Sequence, residues 1–455
     1  MNSSAGFFRR HCKFILIFLL ALAQGCSVNE PGNLKPYGSF SVSVEEVSST
    51  EAWIRLRSEP VNPWQTITLQ RDGSTILSFR LQGKDTLICE DSLSPGRQYT
   101  YRAIKGLFPS EEVRLTTMDT TSHDFHFRSF SVSNRTSGLW DVAIINDNDI
   151  WAVGDMYSNL PEGKDDYEPV GAVHWDGKEW KQVKLPAYVS HYTTFLTPMD
   201  VLAFSGNDIW FANGGVIHFD GKKVTKCYWI VDFSGNFDST TIILEKDHEI
   251  RKLWGSSSEN IYAVGRKGAI AHFDGKKWKK IESGTDLDIQ DVWGSTDPIT
   301  GEEVVICVAA NLDMFATPRV LRIKNDRVTE LPINGLRWNF ESIWFLGVNK
   351  IFLGGDGIFT LNRGINPFSW DDKYDEVTRY YTHTISGNAS NDFAIAGGFG
   401  EICHFNGKTW KNYMGSEVAM FYGNFYGMDM KGNTICAVGS TGSEAILYLG
   451  QRTIR

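Results

Sequence analysis

The clearest pattern in the chain lies at residues 250–283, where short runs of alternating apolar and polar residues are separated by turn residues. Alternation with a period of two is typical of strands that bury one face. Asp274-Gly275 joins the last two runs, and Asp-Gly tolerates the positive φ of a tight hairpin. The pattern predicts a four-stranded antiparallel sheet, which is too small to bury its own faces and is stable only if copies stack. The predicted strands are residues 251–254, 260–265, 269–273 and 277–281.

Degenerate copies of this unit recur between residues 140 and 449. One apolar residue marks the second strand of each copy, and the markers are Ile150, Ile209, Ile261, Ile306, Ile351, Phe393 and Ile435. Successive markers are 59, 52, 45, 45, 42 and 42 residues apart. Four-stranded units at this period are typical of a β-propeller, with an open solenoid as the alternative. We therefore predict seven blades within residues 124–455.

The two ends of the repeat region favour a closed ring. The last unit ends after its third strand, at residues 447–449, while an unassigned strand at residues 125–132 precedes the first unit. We expect this strand to complete the seventh blade. Closure would remove the unpaired strand edges that a linear array keeps at both ends.

Residues 37–119 contain short strand patterns but no copy of the propeller unit, which is typical of a small β-sandwich. Trp53 resembles the core tryptophan of fibronectin type III domains, and the segment Leu93-Ser94-Pro95-Gly96-Arg97-Gln98-Tyr99 resembles the corner before their sixth strand. Thr116-Thr117 resembles their closing strand. The resemblance implies a spacer or adhesive module without chemistry. The predicted fold class is all-β, a fibronectin type III-like β-sandwich followed by a seven-bladed β-propeller.

The N-terminus has the pattern of a targeting signal. Three basic residues precede the apolar run at residues 14–23, which is too short for a normal membrane span. The sequence Leu22-Ala23-Gln24-Gly25-Cys26 resembles the lipobox of bacterial lipoproteins, although Ala23 stands where that motif usually has Leu. The resemblance implies a signal peptide at residues 1–25 and a lipid anchor on Cys26. It also implies a linker at 26–36 and a location at the outer membrane or cell surface of a Gram-negative bacterium. An ordinary secretory signal is the alternative.

The charge of the chain limits its possible partners, and its cysteine content bears on whether disulfides form. Removal of residues 1–25 takes away three positive charges and no acids, so the formal net charge falls from −9 to −12. An acidic chain of this kind argues against a nucleic-acid partner. The five cysteines beyond Cys26 are scattered and odd in number, which favours free thiols over a disulfide framework. A pair between Cys403 and Cys436 is the alternative.

The repeated turn Phe-Asp-Gly-Lys-x-Trp resembles the aspartate-box of sialidase-like propellers and of bacterial photosystem assembly factors, without the Ser or Thr that precedes Asp there. In those families the box is a structural turn. We therefore interpret the recurring histidines and aspartates as repeat residues of separate blades, and predict no metal, cofactor or catalytic site. These residues are His174, His218, His272, His404, Asp176, Asp220 and Asp274. The acidic loops at 165–168 and 371–376 are interpreted as solvated, with Ca²⁺ binding as the alternative.

Loop lengths point to one functional face. Turns between the first and second strands, and between the third and fourth, are short, whereas the other connections are long and rich in aromatic residues. Rigid scaffolds carry function on such loops. We place the long loops at residues 155–171, 185–199, 226–249, 311–318, 331–340, 363–382 and 412–424. The predicted ligand-binding residues on this face are Trp229, Trp338, Trp370, Tyr188 and Tyr381.

These observations predict a monomeric, non-catalytic cell-envelope lipoprotein that binds a glycan or an envelope protein through its long-loop face. The alternative is a sialidase-like or other glycan-cleaving propeller, although sialidases have six blades. An enzyme of that class would need converging arginines. The candidates are Arg251, Arg266, Arg319, Arg337 and Arg379.

Overall fold

A computed structural model describes most of the chain beyond residue 38. The described residues are 39–59, 65–80, 83–133, 137–157, 169–189, 192–228, 248–297, 300–311, 317–336, 339–364, 370–372 and 376–453. The predicted signal peptide, Cys26 and the linker lie outside these residues. The described residues belong to one compact unit. Within them, no helix has the length and apolar character needed to cross a membrane.

The N-terminal part of the described chain forms two antiparallel sheets that share one core. One sheet has the order β1-β2-β5, and the other has the order β4-β3-β6-β7 with β8 paired to β6. Ile54, Leu69 and Tyr101 from the two sheets meet in this core. The strands are β1 (Ser39–Val47), β2 (Ala52–Glu59), β3 (Thr66–Arg71), β4 (Ser74–Arg80), β5 (Asp85–Glu90), β6 (Gln98–Lys105), β7 (Phe108–Pro109) and β8 (Val113–Thr116).

The predicted corner before β6 has a specific hydrogen bond. The Ser94 N–H donates to Tyr99 Oη at 2.8 Å, and Leu93 and Tyr99 are both buried in the core. A tyrosine hydroxyl bonded to the backbone a few residues upstream is a known device at the corner of immunoglobulin-like sandwiches. The relationship to fibronectin type III domains stays a prediction.

Seven four-stranded antiparallel sheets follow in the described residues, in sequence order. The strand β9 (Phe125–Ser131) precedes them. Blade one contains β10 (Gly138–Asn146), β11 (Asp149–Tyr157), β12 (Pro169–Trp175) and β13 (Trp180–Val183), and it is followed by a hairpin of β14 (Pro186–Val189) and β15 (Tyr192–Phe195). Blade two contains β16 (Asp200–Ser205), β17 (Asp208–Asn213), β18 (Gly215–Phe219) and β19 (Val224–Tyr228). Blade three contains β20 (Ile250–Ser257), β21 (Asn260–Gly265), β22 (Ile270–Phe273) and β23 (Trp278–Lys280), with a 3-10 turn at Arg266–Gly268.

The remaining blades keep the same order. Blade four contains β24 (Ile289–Thr296), β25 (Glu303–Ala309), β26 (Arg319–Lys324) and β27 (Arg327–Leu331). Blade five contains β28 (Phe340–Trp344), β29 (Lys350–Gly355), β30 (Gly357–Asn362) and β31 (Asp371–Asp372). Blade six contains β32 (Thr382–Ala389), β33 (Asp392–Gly397), β34 (Ile402–Phe405) and β35 (Trp410–Asn412). Blade seven contains β36 (Asn424–Lys431), β37 (Thr434–Ser440) and β38 (Ala445–Arg452), and β9 completes it.

The ring is closed by β9, the strand predicted at residues 125–132 ahead of the first repeat. β9 pairs antiparallel with β38, with Phe130 opposite Leu447 and Arg128 opposite Leu449. The first strands of neighbouring blades contact one another around the whole ring, including β10 of blade one with β36 of blade seven. The prediction of a propeller closed by residues 125–132 is therefore confirmed.

The second strand of a blade is buried on both faces because a neighbouring blade covers each side. All six residues of β33 are buried, as are all seven of β37. Such strands therefore read as continuous apolar runs, in contrast to the alternation expected of a half-buried strand. Trp180 packs against Phe130 and Trp175 in the core shared by blades one and seven.

The repeated Asp-Gly-Lys segments are structural turns, as predicted. Asp274 Oδ1 accepts hydrogen bonds from the N–H groups of Lys276 and Lys277 at 3.0 and 2.9 Å. These backbone donors hold the pKa of Asp274 below its ordinary value. The histidines of the repeat each bond a residue that opens the second strand of their own blade, for example His218 to Asp208 at 3.0 Å. His272 also bonds Asp326 of blade four, and His404 also bonds His123 ahead of β9. The four histidines thus stabilise separate blades and do not converge on one centre.

The two-sheet domain packs on the propeller turns of blades five and six. Lys350 Nζ lies 2.5 Å from Glu51 Oε1, and both side chains are about one-tenth exposed. The Asn391 side-chain amide donates to the Asp119 carbonyl at 2.8 Å, and the Thr121 N–H donates to the Asn406 carbonyl at 3.0 Å. The domain is therefore joined to the propeller by buried polar contacts. A module that acts only as a spacer would make few contacts with the propeller.

Trp53 belongs to this junction, and the prediction that it occupies the sandwich core is wrong. Ile54 and Leu56 point into the core, so the pleat directs Trp53 to the opposite face of β2. Trp53 is nonetheless fully buried, and its Nε1–H donates to the Arg363 carbonyl at 2.9 Å. Blade five supplies the surface that covers the indole ring.

Candidate functional site

The propeller has two faces with different neighbours. Turns between first and second strands, and between third and fourth strands, form one face, which we call the short-turn face. The two-sheet domain packs there, against the turns that contain Lys350, Arg363, Asn391 and Asn406. The opposite face, which we call the long-loop face, is formed by the other connections. None of the contacts named above between the two-sheet domain and the propeller lies on the long-loop face.

One predicted long loop is divided by the structure. The strand β31 lies within this predicted connection, so that Arg363 follows β30 on the short-turn face, whereas residues 376–381 precede β32 on the long-loop face. The short strand β31, which pairs with Phe359 and Thr360, was missed in the sequence because it has only two residues. The assignment of 363–382 to one long-loop connection is thus wrong.

The five predicted ligand-binding residues have different positions. Trp229 and Trp338 lie outside the described residues, and only the backbone of Tyr188, in β14, is described. Trp370 is 3 % exposed, and its Nε1–H donates to the Pro332 carbonyl at 3.0 Å in the core between blades four and five. Its ring therefore has no surface to offer a ligand. Tyr381 is half-buried at the long-loop end of β32.

β-Bulges mark the long-loop ends of the inner strands. In six blades the pairing between the first and second strands skips one residue at the same position, and the skipped residues are Trp140, Arg251, Gln290, Glu341, His383 and Tyr426. In blade two, Met199 holds the corresponding place before β16, and its N–H donates to the Ala212 carbonyl at 2.8 Å. Bulges redirect side chains and are common at the rims of closed sheets and beside active sites. We call these seven residues the mouth ring.

The mouth ring is aromatic on one side. The ring centroids of Trp140 and Tyr426 are 5.0 Å apart, and those of Tyr426 and His383 are 5.3 Å apart. Tyr381 continues this row, with its centroid 4.9 Å from that of His383. The four rings belong to blades one, seven and six, which are consecutive around the closed ring.

A second row of rings begins at Tyr380, the residue before Tyr381 in the chain. The ring centroids of Tyr380 and Phe399 are 4.6 Å apart, and those of Phe399 and Tyr422 are 5.8 Å apart. Tyr422 is 86 % exposed. Phe399 has a φ of 57°, a left-handed conformation that is rare for a bulky side chain and costs about 1–3 kcal/mol. Strain of this kind concentrates at functional sites. We call the two rows together the aromatic band.

Acidic groups accompany the aromatic band. His383 Nδ1 lies 2.9 Å from Glu341 Oε2, so a carboxylate of blade five is held against the rings. Burial raises the pKa of the Tyr381 hydroxyl, and the nearby carboxylates of Glu341 and Asp356 raise it further. Burial likewise raises the pKa of Asp356. The carboxylate of Glu341 therefore lies beside the rings at this part of the mouth.

Among the described candidate arginines, Arg251, Arg266 and Arg319 do not form the converging set that the enzyme alternative requires. Arg251 and Arg266 come together on blade three, but each lies between Glu249 at 3.4 Å and Asp288 at 3.8 Å. Arg319 pairs with Glu330 at the outer edge of blade four. Arg337 lies outside the described residues. Within those residues, no three His, Cys, Asp or Glu side chains are arranged to hold a metal ion.

Below the mouth, the inner strands enclose a cavity of about 310 Å³ on the propeller axis. Asp141, Asp200, Asp291 and Asp429 line it, together with Lys252 and Lys431. The aspartates also join blades, because the N–H groups of Val201, Leu253, Ile343 and Ile144 donate to Asp141, Asp200, Asp291 and Asp429, respectively, at 2.8–3.1 Å.

Burial dominates the electrostatics of this cavity. It raises the pKa of Asp291 to about 6, and it raises the pKa of Asp141 well above the ordinary value despite the proximity of Lys252. The pKa of Lys252 is lowered by burial but raised more by Asp141 and Asp200, so the ammonium stays charged. Lys252 Nζ lies 2.8 Å from Asp200 and 3.6 Å from Asp141.

The mouth ring was missed in the sequence, although a signal for it exists. In blades one, two and four the mouth-ring residue directly precedes an Asp-Val pair, in Trp140-Asp141-Val142, Met199-Asp200-Val201 and Gln290-Asp291-Val292. That pair opens the cavity-lining part of the inner strand. The position is hidden in the other four blades because Lys252, Ser342, Thr384 and Gly427 replace the aspartate.

Comparisons with known proteins agree on the fold. The chain is similar to a solved structure described as YCF48 bound to D1 peptide, with 15 % identity, 72 % of this chain and 96 % of that chain covered, and a TM-score of 0.50. It is also similar to the WD40 repeats of RRP9, with 7 % identity, 73 % and 99 % covered, and a TM-score of 0.50. No protein-family model and no curated protein matches the chain. At these identities the likeness supports a β-propeller fold and nothing finer.

Proposed function

We propose that this chain is a non-catalytic binding protein whose propeller holds a partner protein on its long-loop face. The observation that carries the proposal is the asymmetry of the two faces. The two-sheet domain packs on the short-turn face, while the aromatic band lies on the long-loop face and ends in the exposed Tyr422. Exposed aromatic residues are enriched at the centres of protein interfaces.

Two further features support a binding role. Met420 is 58 % exposed close to Tyr422 in the chain, and exposed large apolar side chains that cluster mark interaction sites. A propeller of similar fold is described as bound to a peptide, which supports a polypeptide ligand for this chain. A glycan could also stack on exposed rings, and it remains the alternative ligand.

We place the protein in the cell envelope, held by a lipid on Cys26 and a linker at 26–36. On this proposal residues 37–119 are a fibronectin type III-like domain that sets the orientation of the propeller above the membrane. The sequence pattern around Cys26 supports the anchor. Labelling of cells with radioactive palmitate tests it: the wild-type chain should incorporate label and C26S should not. Equal labelling of the two chains would refute the anchor.

Affinity capture tests the binding face. Residues 27–455 are immobilised as the wild-type protein, as the double variant M420S/Y422S, and as L107S. Leu107 is 93 % exposed on the two-sheet domain, so L107S is a control for removal of an exposed apolar side chain elsewhere. We expect a specific envelope protein to be retained by the wild type and L107S, and to be lost with M420S/Y422S.

The same three proteins are applied to a glycan array. Glycan binding that M420S/Y422S abolishes, without release of product and without a captured protein, would replace the protein partner with a carbohydrate. Release of a cleaved product would favour the enzyme alternative. Retention of the partner by all three chains would refute the long-loop face as the binding site.

A further inference from the structure

We infer that the aromatic side of the mouth ring receives a positively charged side chain, Lys or Arg, from an extended segment of the partner protein. The inference rests on the proposed function, and it adds the chemistry that the face recognises. The receiving residues are Trp140, Tyr426, His383, Tyr381 and Glu341. They belong to four consecutive blades of the closed ring, and bulges direct four of them to the same end of the propeller axis.

The rings supply the first part of the recognition. Trp140, Tyr426 and His383 follow one another at centroid distances of 5.0 and 5.3 Å, with interplanar angles of 57° and 56°. Rings tilted in this way cannot stack fully on each other, so parts of their faces stay available. The face of an aromatic ring attracts a cation, and Trp and Tyr do so more strongly than most residues.

A carboxylate supplies the second part. Glu341 is about one-quarter exposed and is held at 2.9 Å by His383, so its position is fixed beside the rings. A fixed carboxylate beside aromatic faces gives a cation both an ion pair and a π contact. A neutral side chain of the same length would gain neither of these interactions.

The charges beside the rings favour a cation. Glu341 is the carboxylate of the mouth ring, and the mouth-ring arginine, Arg251, lies on blade three and is compensated by Glu249 and Asp288. A cation at the rings therefore meets the carboxylate of Glu341, which would repel an anion.

The receiving residues border the axial cavity without lining it. Asp141 and Thr384, which do line it, directly follow Trp140 and His383 in the chain. A backbone that crosses the long-loop face could thus present one Lys or Arg to the rings beside the axis. The exposed Tyr422 and the strained Phe399 would contact the flanking residues of the segment.

Fluorescence anisotropy with labelled Gly/Ser peptides tests the inference. The peptides differ only at one central residue, which is Lys, Arg, norleucine or Glu. Norleucine keeps the length of the Lys side chain and removes its charge. We expect the Lys and Arg peptides to bind residues 27–455 at least about tenfold more tightly than the other two, and with dissociation constants below about 1 mM.

Two variants and one control locate the site. E341Q preserves the shape of the side chain and should weaken binding of the Lys peptide about fivefold or more. Y426L should weaken it to the same extent by removing one ring. E259Q makes the same change of charge on the short-turn face, where Glu259 is exposed, and should bind like the wild type. Circular dichroism of each variant confirms that the fold is retained.

The results distinguish this inference from the proposed function. Equal binding of the Lys and norleucine peptides, no binding of the Lys peptide at about 1 mM, or no effect of E341Q and Y426L would each overturn the inference. If M420S/Y422S still abolished capture of a partner protein, the proposed function would stand without it. If E341Q weakened both the Lys peptide and the captured partner, both would be supported.

Discussion

Lys252→Met would remove the ammonium group that lies between Asp141 and Asp200 on the propeller axis. At an effective dielectric constant of 20, the attraction is about 6 kcal/mol at the 2.8 Å distance to Asp200 and about 5 kcal/mol at the 3.6 Å distance to Asp141. Desolvation of the buried ions opposes it by several kcal/mol per ion. The net loss on removing one partner of a buried pair is about 3–5 kcal/mol.

We expect K252M to lose stability near the lower end of this range, about 3 kcal/mol at pH 8, because 28 % of the Lys252 side-chain surface remains exposed in the axial cavity. The loss should be smaller at pH 5.5. Without Lys252, the already raised pKa of Asp141 rises further, so the folded variant binds a proton that the unfolded chain releases. The stability of the variant therefore falls as the pH rises through this window.

Urea denaturation followed by tryptophan fluorescence, at pH 5.5 and pH 8, measures both effects. K279M is the matched control: Lys279 pairs with Asp326 at the surface, and its side chain is 60 % exposed, so its loss should cost less than about 1 kcal/mol. K252M/D200N should recover part of the stability because the unpaired carboxylate is removed. A K252M variant no less stable than K279M at pH 8, or equally destabilised at both pH values, would refute the reasoning.

Three further predictions test other parts of the fold. W53F keeps a buried ring but loses the Nε1–H bond to the propeller, so it should cost about 1 kcal/mol and expose the junction to limited proteolysis; an unchanged cleavage pattern would contradict this. Burial, followed by the proximity of His404, lowers the pKa of His123 to about 4, and burial lowers that of His404. Unfolded histidines titrate near 6.5, so the free energy of unfolding should fall as the pH drops from about 6.5 toward 4, and H123N should flatten this dependence in urea titrations. Cys403 and Cys436 are free and buried, and burial raises their pKa values, so iodoacetamide should label them only after unfolding, as mass spectrometry would show.

Acid sensitivity at the two histidines has a clear structural cause. His123 precedes β9, and its Nδ1 lies 2.8 Å from His404 Nδ1 of blade six. His404 Nε2 in turn lies 2.8 Å from Asp392 Oδ1. Protonation of both histidines would place two positive charges in contact beside the strand that closes the ring.

The repeats were predictable from the sequence because they depend on local chemistry, and the closure was predictable because one strand was missing from the last repeat and one was left over before the first. Asp274-Gly275 forms a hairpin turn through its own φ preferences and backbone hydrogen bonds. The strand at residues 125–132 had no partner in its own repeat, and the last repeat lacked one strand, so pairing of the two required no knowledge of distant contacts.

The candidate site was only partly predictable, and the reason is that its residues depend on neighbours distant in sequence. Tyr381 lies at the long-loop end of β32, and its role in binding stays a prediction, but Trp370 is covered by the connection that follows β27. Trp53 is buried on the outer face of its sheet because blade five, more than three hundred residues later in the chain, covers it.

The mouth ring shows the same limit most clearly. Whether Trp140, His383 or Tyr426 is skipped by a bulge depends on the register between two strands, and a shift of one residue would turn each ring toward the other face. The sequence by itself determined how many blades form and how the ring closes, since turns and apolar periodicity act within about fifty residues. Only the tertiary structure decided which side chains meet at the propeller axis, because seven separate strands must converge there before any of them become neighbours.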